Sequence, residues 1–265
     1  MKKSFWIISI SLSLIMAVFQ RITGPTYPVS GSIDISGKKV KYKFPRSCTI
    51  LKNECKPVFF GEGIKGYVLY KRYKVDEPQK IAFFISDNKV SYALIDDNFP
   101  KAGKIDYNVF IFKNGNYEKV NNDNIMLRFK GNVPPIILVL HIIFMFLFMI
   151  FSVYIFLENN FEKNMNSKVF YLNFAFLIIG GFILGPIVQF YAFDAFWSGF
   201  PLGYDLTDNK MLLVIFAWSY TLYCFVKGKS VKTAINIAFI LTILTYLIPH
   251  SLLGSEYKYN SEIND

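Results

Sequence analysis

Five apolar runs leave this chain few ways to fold in water, and one long polar segment separates the first run from the second. The runs cover residues 5–19, 135–157, 169–193, 211–226 and 233–253. About 20 apolar residues in a helix cross the hydrocarbon layer of a bilayer, because a helix rises by about 1.5 Å per residue. The runs do not alternate polar and apolar residues, which argues against a transmembrane β-barrel. We predict a mixed membrane protein with an N-terminal anchor helix at 1–20, a four-helix α transmembrane domain at 134–254 and a polar tail at 255–265.

The first run resembles a secretory signal, because Lys2 and Lys3 precede it. No cleavage site with small residues follows, since the run continues into Gln20 and Arg21. This pattern favours an uncleaved anchor over a removed signal. The run is short for a full crossing, so the two polar side chains are expected to reach the far interface.

Lysines in the short loops predict the orientation of the helices. With five crossings, three groups of lysines fall on one side of the membrane: Lys2, Lys3, Lys163, Lys168, Lys227, Lys229 and Lys232. Positive residues in short loops mark the cytoplasmic side. The N-terminus is therefore predicted to be cytoplasmic, and the segment 21–133, the loop 194–210 and the C-terminus are predicted to lie outside.

The segment 21–133 has the pattern of an all-β domain. Val40, Tyr42 and Phe44 alternate with lysines, as in a strand with one face on a core. Short strands are predicted at 32–36, 39–44, 66–74, 80–85, 90–95, 105–112 and 125–129, with turn residues between them. Seven or eight strands at this spacing favour a small antiparallel β-sandwich of immunoglobulin-like type.

Most of the positive charge of the chain lies in this segment. It contains 20 Lys and Arg against 11 Asp and Glu, a net charge of +9. A basic surface is typical of proteins that bind nucleic acid or anionic lipid. A domain outside the cytoplasm does not meet nucleic acid, so the expected partners are the lipid bilayer, anionic lipid or other envelope proteins. The charge can also serve solubility alone.

Cys48 and Cys55 lie close together in the same segment. Outside the cytoplasm such a pair can oxidise, which favours a disulfide that closes a hairpin. Two free thiols and a thiolate metal site are the alternatives, and the second is disfavoured because the segment contains no histidine. Cys224 lies within a transmembrane run, where it is expected to be inert.

The two histidines and a group of aspartates are the candidate site residues. His141 and His250 are predicted to lie toward the outer half of the membrane domain. Ionisable groups in membrane helices are costly and often functional. With the aspartates, the histidines can bind a divalent metal such as Zn²⁺ or Fe²⁺, relay protons or ligate haem. They can also be purely structural, and no motif such as His-x-x-x-His decides between these roles.

The aspartates of this candidate site belong to the loop 192–210. Asp194, Asp205 and Asp208 stand there among aromatic residues and glycines, with Gln189 just inside. Asp205 or Thr207 is predicted to cap the next helix, and Asp208 suits its positive end. The loop is therefore expected to be either a capped connection or a binding surface under the β domain.

Polar and small residues within the runs predict helix packing. Gly180 and Gly181 allow close approach of a neighbouring helix. Asn173 and Asn236 lie near the inner ends of two runs and are predicted to hydrogen-bond to each other.

Three stretches of the sequence resemble a group of bacterial membrane proteins that has no assigned activity. They are residues 20–28 (QRITGPTYP), residues 128–134 (RFKGNVP) and residues 205–210 (DLTDNK). The resemblance implies one N-terminal helix, an outer β domain and four further helices over most of the chain. It implies the inner membrane of a bacterial cell and transfers no catalytic residues.

Function is the least determined property of the sequence. No nucleophile elbow, phosphate loop or dinucleotide fingerprint is present. We therefore expect a protein without a catalytic motif, which presents a periplasmic domain to bind or assemble envelope components. The alternatives are a metal-binding or redox subunit that uses His141, His250 and the aspartates, and a small transporter or its accessory subunit.

Overall fold

The computed structural model describes residues 2–35, 37–162, 165–249, 254 and 256–259. The chain divides into two compact units. The helical unit consists of Met1–Pro25 and Val133–Ser255, and the sheet unit consists of Thr26–Asn132 and Glu256–Asp265.

The helical unit contains all the apolar runs. Its elements are α1 (Lys3–Thr23), α2 (Pro135–Phe161), α3 (Ser167–Leu177), a π-helical segment (Ile178–Leu184), α4 (Gly185–Phe193), α5 (Leu206–Val226) and α6 (Lys232–Leu247). The segments from α3 to α4 form one continuous helix, Ser167–Phe193. Among the described residues, four helices are long and apolar enough to cross a membrane, which indicates a membrane protein. The helix α6 is apolar but has 16 residues.

Large aromatic side chains fill the interior of the helical unit. Trp218 on α5 is fully buried and contacts Phe148 on α2, and its indole N–H donates to Thr242 Oγ1 at 3.0 Å. Phe5 of α1 is buried in the same core, where its ring meets that of Tyr154. The first helix therefore belongs to the helical unit.

The predicted bond between Asn173 and Asn236 is wrong. Asn173 accepts a hydrogen bond from Ser152 on α2, at 3.0 Å. Asn236 bonds to Asn160, also on α2. The two asparagines face the same central helix at different points, and a sequence does not show which helix stands between two others.

The sheet unit is a curled mixed sheet of ten strands. They are β1 (Val29–Ile35), β2 (Lys38–Phe44), β3 (Ser47–Thr49), β4 (Val58–Phe59), β5 (Gly66–Arg72), β6 (Lys80–Asp87), β7 (Val90–Ala93), β8 (Lys104–Lys113), β9 (Asn116–Lys119) and β10 (Ile125–Lys130). Their order is β1-β2-β4-β7-β6-β5-β8-β10-β3, with β9 beside β8. The pairing of β10 with β3 is parallel, and the other pairs are antiparallel.

This topology confirms the predicted strands but not the predicted sandwich. A strand is present at each of the seven predicted positions, and β3, β4 and β9 are additional. Hydrogen bonds connect nine strands in one path with β9 beside it, whereas an immunoglobulin-like sandwich has two separate sheets. The immunoglobulin-like arrangement is therefore not confirmed.

One face of the sheet forms the core of this unit. Along β8, Ile105, Tyr107, Val109 and Ile111 are fully buried and alternate with less buried residues. Phe44, Phe59 and Phe129 complete the core from other strands. Tyr107 donates its hydroxyl to Pro45 O at 2.7 Å. Burial raises the pKa of this hydroxyl well above its usual value, so it stays a neutral donor.

Two further connections close the sheet unit. Cys48 and Cys55 form a disulfide. Residues 256–259 lie against the sheet, where the Tyr257 backbone N–H donates to Ala102 O at 3.1 Å. The Glu256 carboxylate pairs with Lys104 at 2.7 Å and with Lys74 at 3.2 Å. The Tyr259 hydroxyl donates to Lys104 O and accepts from Lys104 N.

Acid is expected to release residues 256–259 from the sheet. Burial alone would raise the pKa of Glu256, but the bonds with Lys104 and Lys74 outweigh it and lower this pKa from its ordinary value of 4.5. The carboxylate therefore stabilises the binding of residues 256–259 to the sheet fully above pH 4.5. This contribution is lost as the pH falls through the lower pKa that Glu256 has when these residues are bound. Hydrogen exchange at the Tyr257 amide of the full chain measures this release.

The variant Glu256→Gln provides the control for this pH dependence. It should expose the Tyr257 amide already at neutral pH, because an amide cannot neutralise two lysines. The matched variant Glu62→Gln removes another exposed glutamate of the sheet unit and should behave as the native chain. Protection of Tyr257 that stays constant down to acid pH would contradict the prediction.

Candidate functional site

Asp208 organises the loop between α4 and α5. Its Oδ2 atom accepts three hydrogen bonds, from Ser198 N at 2.6 Å, Ser198 Oγ at 3.1 Å and Gln189 Nε2 at 3.0 Å. Gln189 also donates to Ser198 Oγ at 2.6 Å. The next residue, Asn209, accepts from Phe200 N at 2.7 Å. The first turn of α5 therefore holds the loop through its side chains, as a capped connection would.

The other two aspartates of the predicted site also lie at helix ends. Asp205 is the N-cap of α5, and its Oδ1 atom accepts from Thr207 N at 2.8 Å. This confirms the predicted cap. Asp194 has a left-handed backbone at the C-terminus of α4, where its N–H donates to Phe190 O. Lys210 is buried on α5 and donates to Ile248 O at 2.8 Å.

His141 contacts the π-helical segment. Its Nδ1 atom lies 2.9 Å from Gly180 O, so the ring donates through this nitrogen. The Gly185 backbone N–H donates to the same oxygen, in the longer register of a π-helix. The histidine therefore satisfies a backbone group of the neighbouring helix.

The structure does not assemble a metal site from the residues it describes. Within these residues there is no group of three or more His, Cys, Asp or Glu side chains that could hold a metal ion. His250 lies outside the described residues. A joint role for His141, His250 and the aspartates stays a prediction without supporting geometry.

A cavity of about 400 Å³ opens near the loops that join α2 to α3 and α5 to α6. It is lined by Glu158, Asn159, Glu162, Met165, Phe225, Gly228, Lys229 and Val231. Both carboxylates have structural partners. Glu158 accepts from the Asn166 backbone N–H at 2.8 Å, and Glu162 pairs with Lys2. The acidic groups of this cavity thus hold a loop and the start of the chain.

The outward face of the sheet unit carries a row of exposed apolar side chains. On β6, Ala82 and Phe84 pack against the core, while Ile81, Phe83 and Ile85 point away from it. The exposed fractions of these outward side chains are 55%, 67% and 49%. A strand that is apolar on both faces is typical of a strand covered on both faces. Something other than water is therefore expected to cover this row.

The row continues onto the neighbouring strands. Tyr67 on β5 stands opposite Phe83, and Tyr92 on β7 stands opposite Ile85. The Tyr67 ring is 5.1 Å from the Phe110 ring on β8 and 5.0 Å from the Tyr117 ring on β9. We call the outward side chains of Tyr67, Ile81, Phe83, Ile85, Tyr92, Phe110 and Tyr117 the apolar face.

Basic side chains lie on the same side of the sheet. Lys39, Lys41 and Lys43 alternate along β2 with residues that pack inward, and all three are exposed. The Lys56 Nζ atom lies 5.0 Å from the centre of the Tyr92 ring. The apolar face therefore has a positively charged border.

The sequence already contained the signal for this face, because residues 80–87 alternate less than a strand with one wet face should. Sequence reasoning concentrated on histidines and aspartates and missed it. The apolar face, the Asp208 network and the docked residues 256–259 are the features that a function must explain. The chain matches no protein-family model, no curated protein and no solved structure.

Proposed function

We propose that this chain is a multi-pass protein of a bacterial cell membrane, which presents the sheet unit outside the cytoplasm to bind or assemble envelope components. The observation that carries the proposal is the apolar face. An apolar patch exposed on a folded domain marks an interaction site more often than it occurs by accident. The domain is covalently attached at both ends to apolar helices, so its partners are found at the membrane.

The docked residues 256–259 support five crossings. Residues 26–132 lie between α1 and α2, and the chain returns to the same sheet after α6. With α1, α2, the α3–α4 helix and α5 as crossings, the chain reaches the side of the sheet only if α6 crosses as well. A helix of 16 residues spans roughly 24 Å, so it needs a thin region or flanking residues to do so.

The side of the sheet unit is proposed from charge and redox chemistry. Five crossings place Lys2, Lys168 and Lys229 on the side opposite to the sheet, and clustered positive loops favour the cytoplasm. The disulfide between Cys48 and Cys55 suits the oxidising space outside.

Photocrosslinking in cells tests this proposal. The full chain carries p-benzoylphenylalanine at position 83, in the apolar face. A matched chain carries it at position 51, because the Leu51 side chain is 72% exposed and apolar but lies outside this face. We expect a defined adduct with an envelope protein or lipid at position 83 and none at position 51. Equal adducts at both positions, or none, would contradict the proposed function.

A further inference from the structure

We propose that the apolar face is a lipid-binding surface that inserts into the headgroup region of a bilayer containing anionic lipid. This inference rests on the proposed function and names the partner. It follows from three observations: the chemistry of the face, the charge at its border and the attachment of the domain.

The side chains of the face are those that partition into a membrane interface. Phe83 projects from the middle of β6 between Ile81 and Ile85, so the most exposed ring has an aliphatic neighbour on each side. Tyr67, Tyr92 and Tyr117 stand on the strands around this row. Tyrosine is enriched at headgroup depth, where the ring is buried and the hydroxyl stays wet.

The border of the face complements anionic headgroups. Along β2, the exposed lysines at 39, 41 and 43 are two residues apart, so their ammonium groups point the same way. Lysine near an anionic membrane surface strengthens binding roughly fivefold for each side chain, from about 1 kcal/mol. Acidic groups also lie on this side: Asp34 stands opposite Lys39, Asp106 stands opposite Lys71, and the exposed Asp87 follows Ile85 on the outward side of β6.

This charge disfavours a second copy of the chain as the occupant. Two copies that met through the apolar face would bring two basic borders of equal sign together, and like charges across an interface are costly. An added peptide strand would need an open sheet edge, whereas Phe83 lies on a face between paired strands.

The attachment of the domain makes a bilayer its nearest large partner. Five residues separate Thr23 of α1 from Val29 of β1, and four separate Lys130 of β10 from Pro135 of α2. Such short connections hold the domain at a high local concentration of lipid surface. Modest affinity of each side chain is then sufficient for binding.

An environment-sensitive fluorophore on the full chain tests the inference. Phe83→Cys is labelled with NBD in a Cys224→Ala background, where Cys48 and Cys55 remain in their disulfide. The chain is reconstituted in vesicles of phosphatidylcholine with or without phosphatidylglycerol. We expect a blue shift with a severalfold rise in intensity when phosphatidylglycerol is present, and quenching by lipids that carry a shallow spin label.

Two matched variants make the result specific. NBD at Leu51→Cys should show neither the shift nor the quenching, because this exposed site lies off the face. Adding Lys41→Gln to the labelled Phe83→Cys chain should lower the ratio of lipid-bound to unbound sheet unit roughly fivefold in phosphatidylglycerol vesicles, as read from the NBD signal. An intact disulfide in each variant shows that the sheet unit has folded.

The outcomes separate this inference from the proposed function. If NBD emission at positions 83 and 51 is the same in phosphatidylglycerol vesicles without other proteins, lipid binding is overturned. If position 83 still gives a protein adduct in cells, the proposed function stands with a protein partner. A blue shift that depends on protein concentration in detergent, without quenching by labelled lipid, shows self-association and also overturns the inference.

Discussion

Replacing Gly66 with alanine is expected to lower the free energy of unfolding of the sheet unit by about 4 kcal/mol. Gly66 begins β5 opposite Ile111 of β8. A Cβ atom on this residue would overlap the Phe110 carbonyl oxygen and lie 3.0 Å from the Ile111 Cα atom. Both obstacles are backbone, so no rotamer change relieves them, and the pairing of β5 with β8 must open.

The units can be followed separately in this experiment. All three tryptophans, Trp6, Trp197 and Trp218, belong to the helical unit, so fluorescence of the full chain in detergent reports that unit alone. We expect Gly66→Ala to accelerate proteolysis within residues 26–132 and to leave the fluorescence transition unchanged. Ser32→Ala, at an exposed position of β1, is the control and should have no effect. Native resistance to protease in Gly66→Ala would show that β8 leaves room for a Cβ atom at this position and would contradict the prediction.

Replacing Asp208 with alanine is expected to destabilise the α4–α5 connection by about 3 kcal/mol. The side chain is buried, and its removal takes away the acceptor of three hydrogen bonds, although Gln189 keeps its bond to Ser198 Oγ. A hydrogen bond to a charged group contributes about 1.5–3 kcal/mol to stability, and the carboxylate accepts such a bond from the Ser198 backbone N–H. The helix α5 also loses a negative charge from its first turn.

Trp197 reports this change directly, because its indole N–H donates to Phe200 O within the same loop. We expect a red-shifted emission and earlier thermal unfolding in detergent for Asp208→Ala. Asp208→Asn should be intermediate, since its carbonyl oxygen can still accept from Ser198 N. If alanine and asparagine gave the same small change, the network would contribute little to the loop. Lys229→Ala changes an exposed position outside this loop, so it serves as the control and should leave the Trp197 emission unchanged.

The local pattern of the sequence was sufficient to predict most elements. The alternation of Val40, Tyr42 and Phe44 with lysines predicted β2, and each of these three side chains is more buried than the lysines between them. The apolar runs likewise predicted the helices, because hydrophobic length is a property of consecutive residues. The N-cap at Asp205 was predictable for the same reason, since a cap depends on neighbours two residues away.

Long-range pairing was not accessible in this way. The strand β3 has three residues and pairs in parallel with β10, whose partner for Cys48 is Phe129. Three residues cannot show an alternation, and nothing near them indicates a partner so far along the chain. The immunoglobulin-like sandwich was inferred from strand number and spacing alone, which do not determine strand order.

The sequence analysis looked for a site among ionisable residues, whereas the structure points to the apolar face. Asp205 and Asp208 were correctly placed at the start of a helix, but the partners of Asp208 come from two different segments, Gln189 and Ser198. The apolar face could have been predicted from the run that contains Phe83, because both faces of that strand are apolar. Which apolar side chains a fold leaves uncovered depends on the order of its strands, and that order emerged only in three dimensions.

Protein synthesis runs from the N-terminus to the C-terminus, so the contact between Lys104 and Glu256 can form only late in synthesis. These residues are 152 positions apart, and every helix after α1 is made between them. The strands are therefore synthesised before Glu256. Lys74 and Lys104 can pair with its carboxylate only after the ribosome has made the last helix. A chain that stops before Glu256 lacks this carboxylate, so one ion-pair cluster distinguishes chains that include this residue from shorter ones.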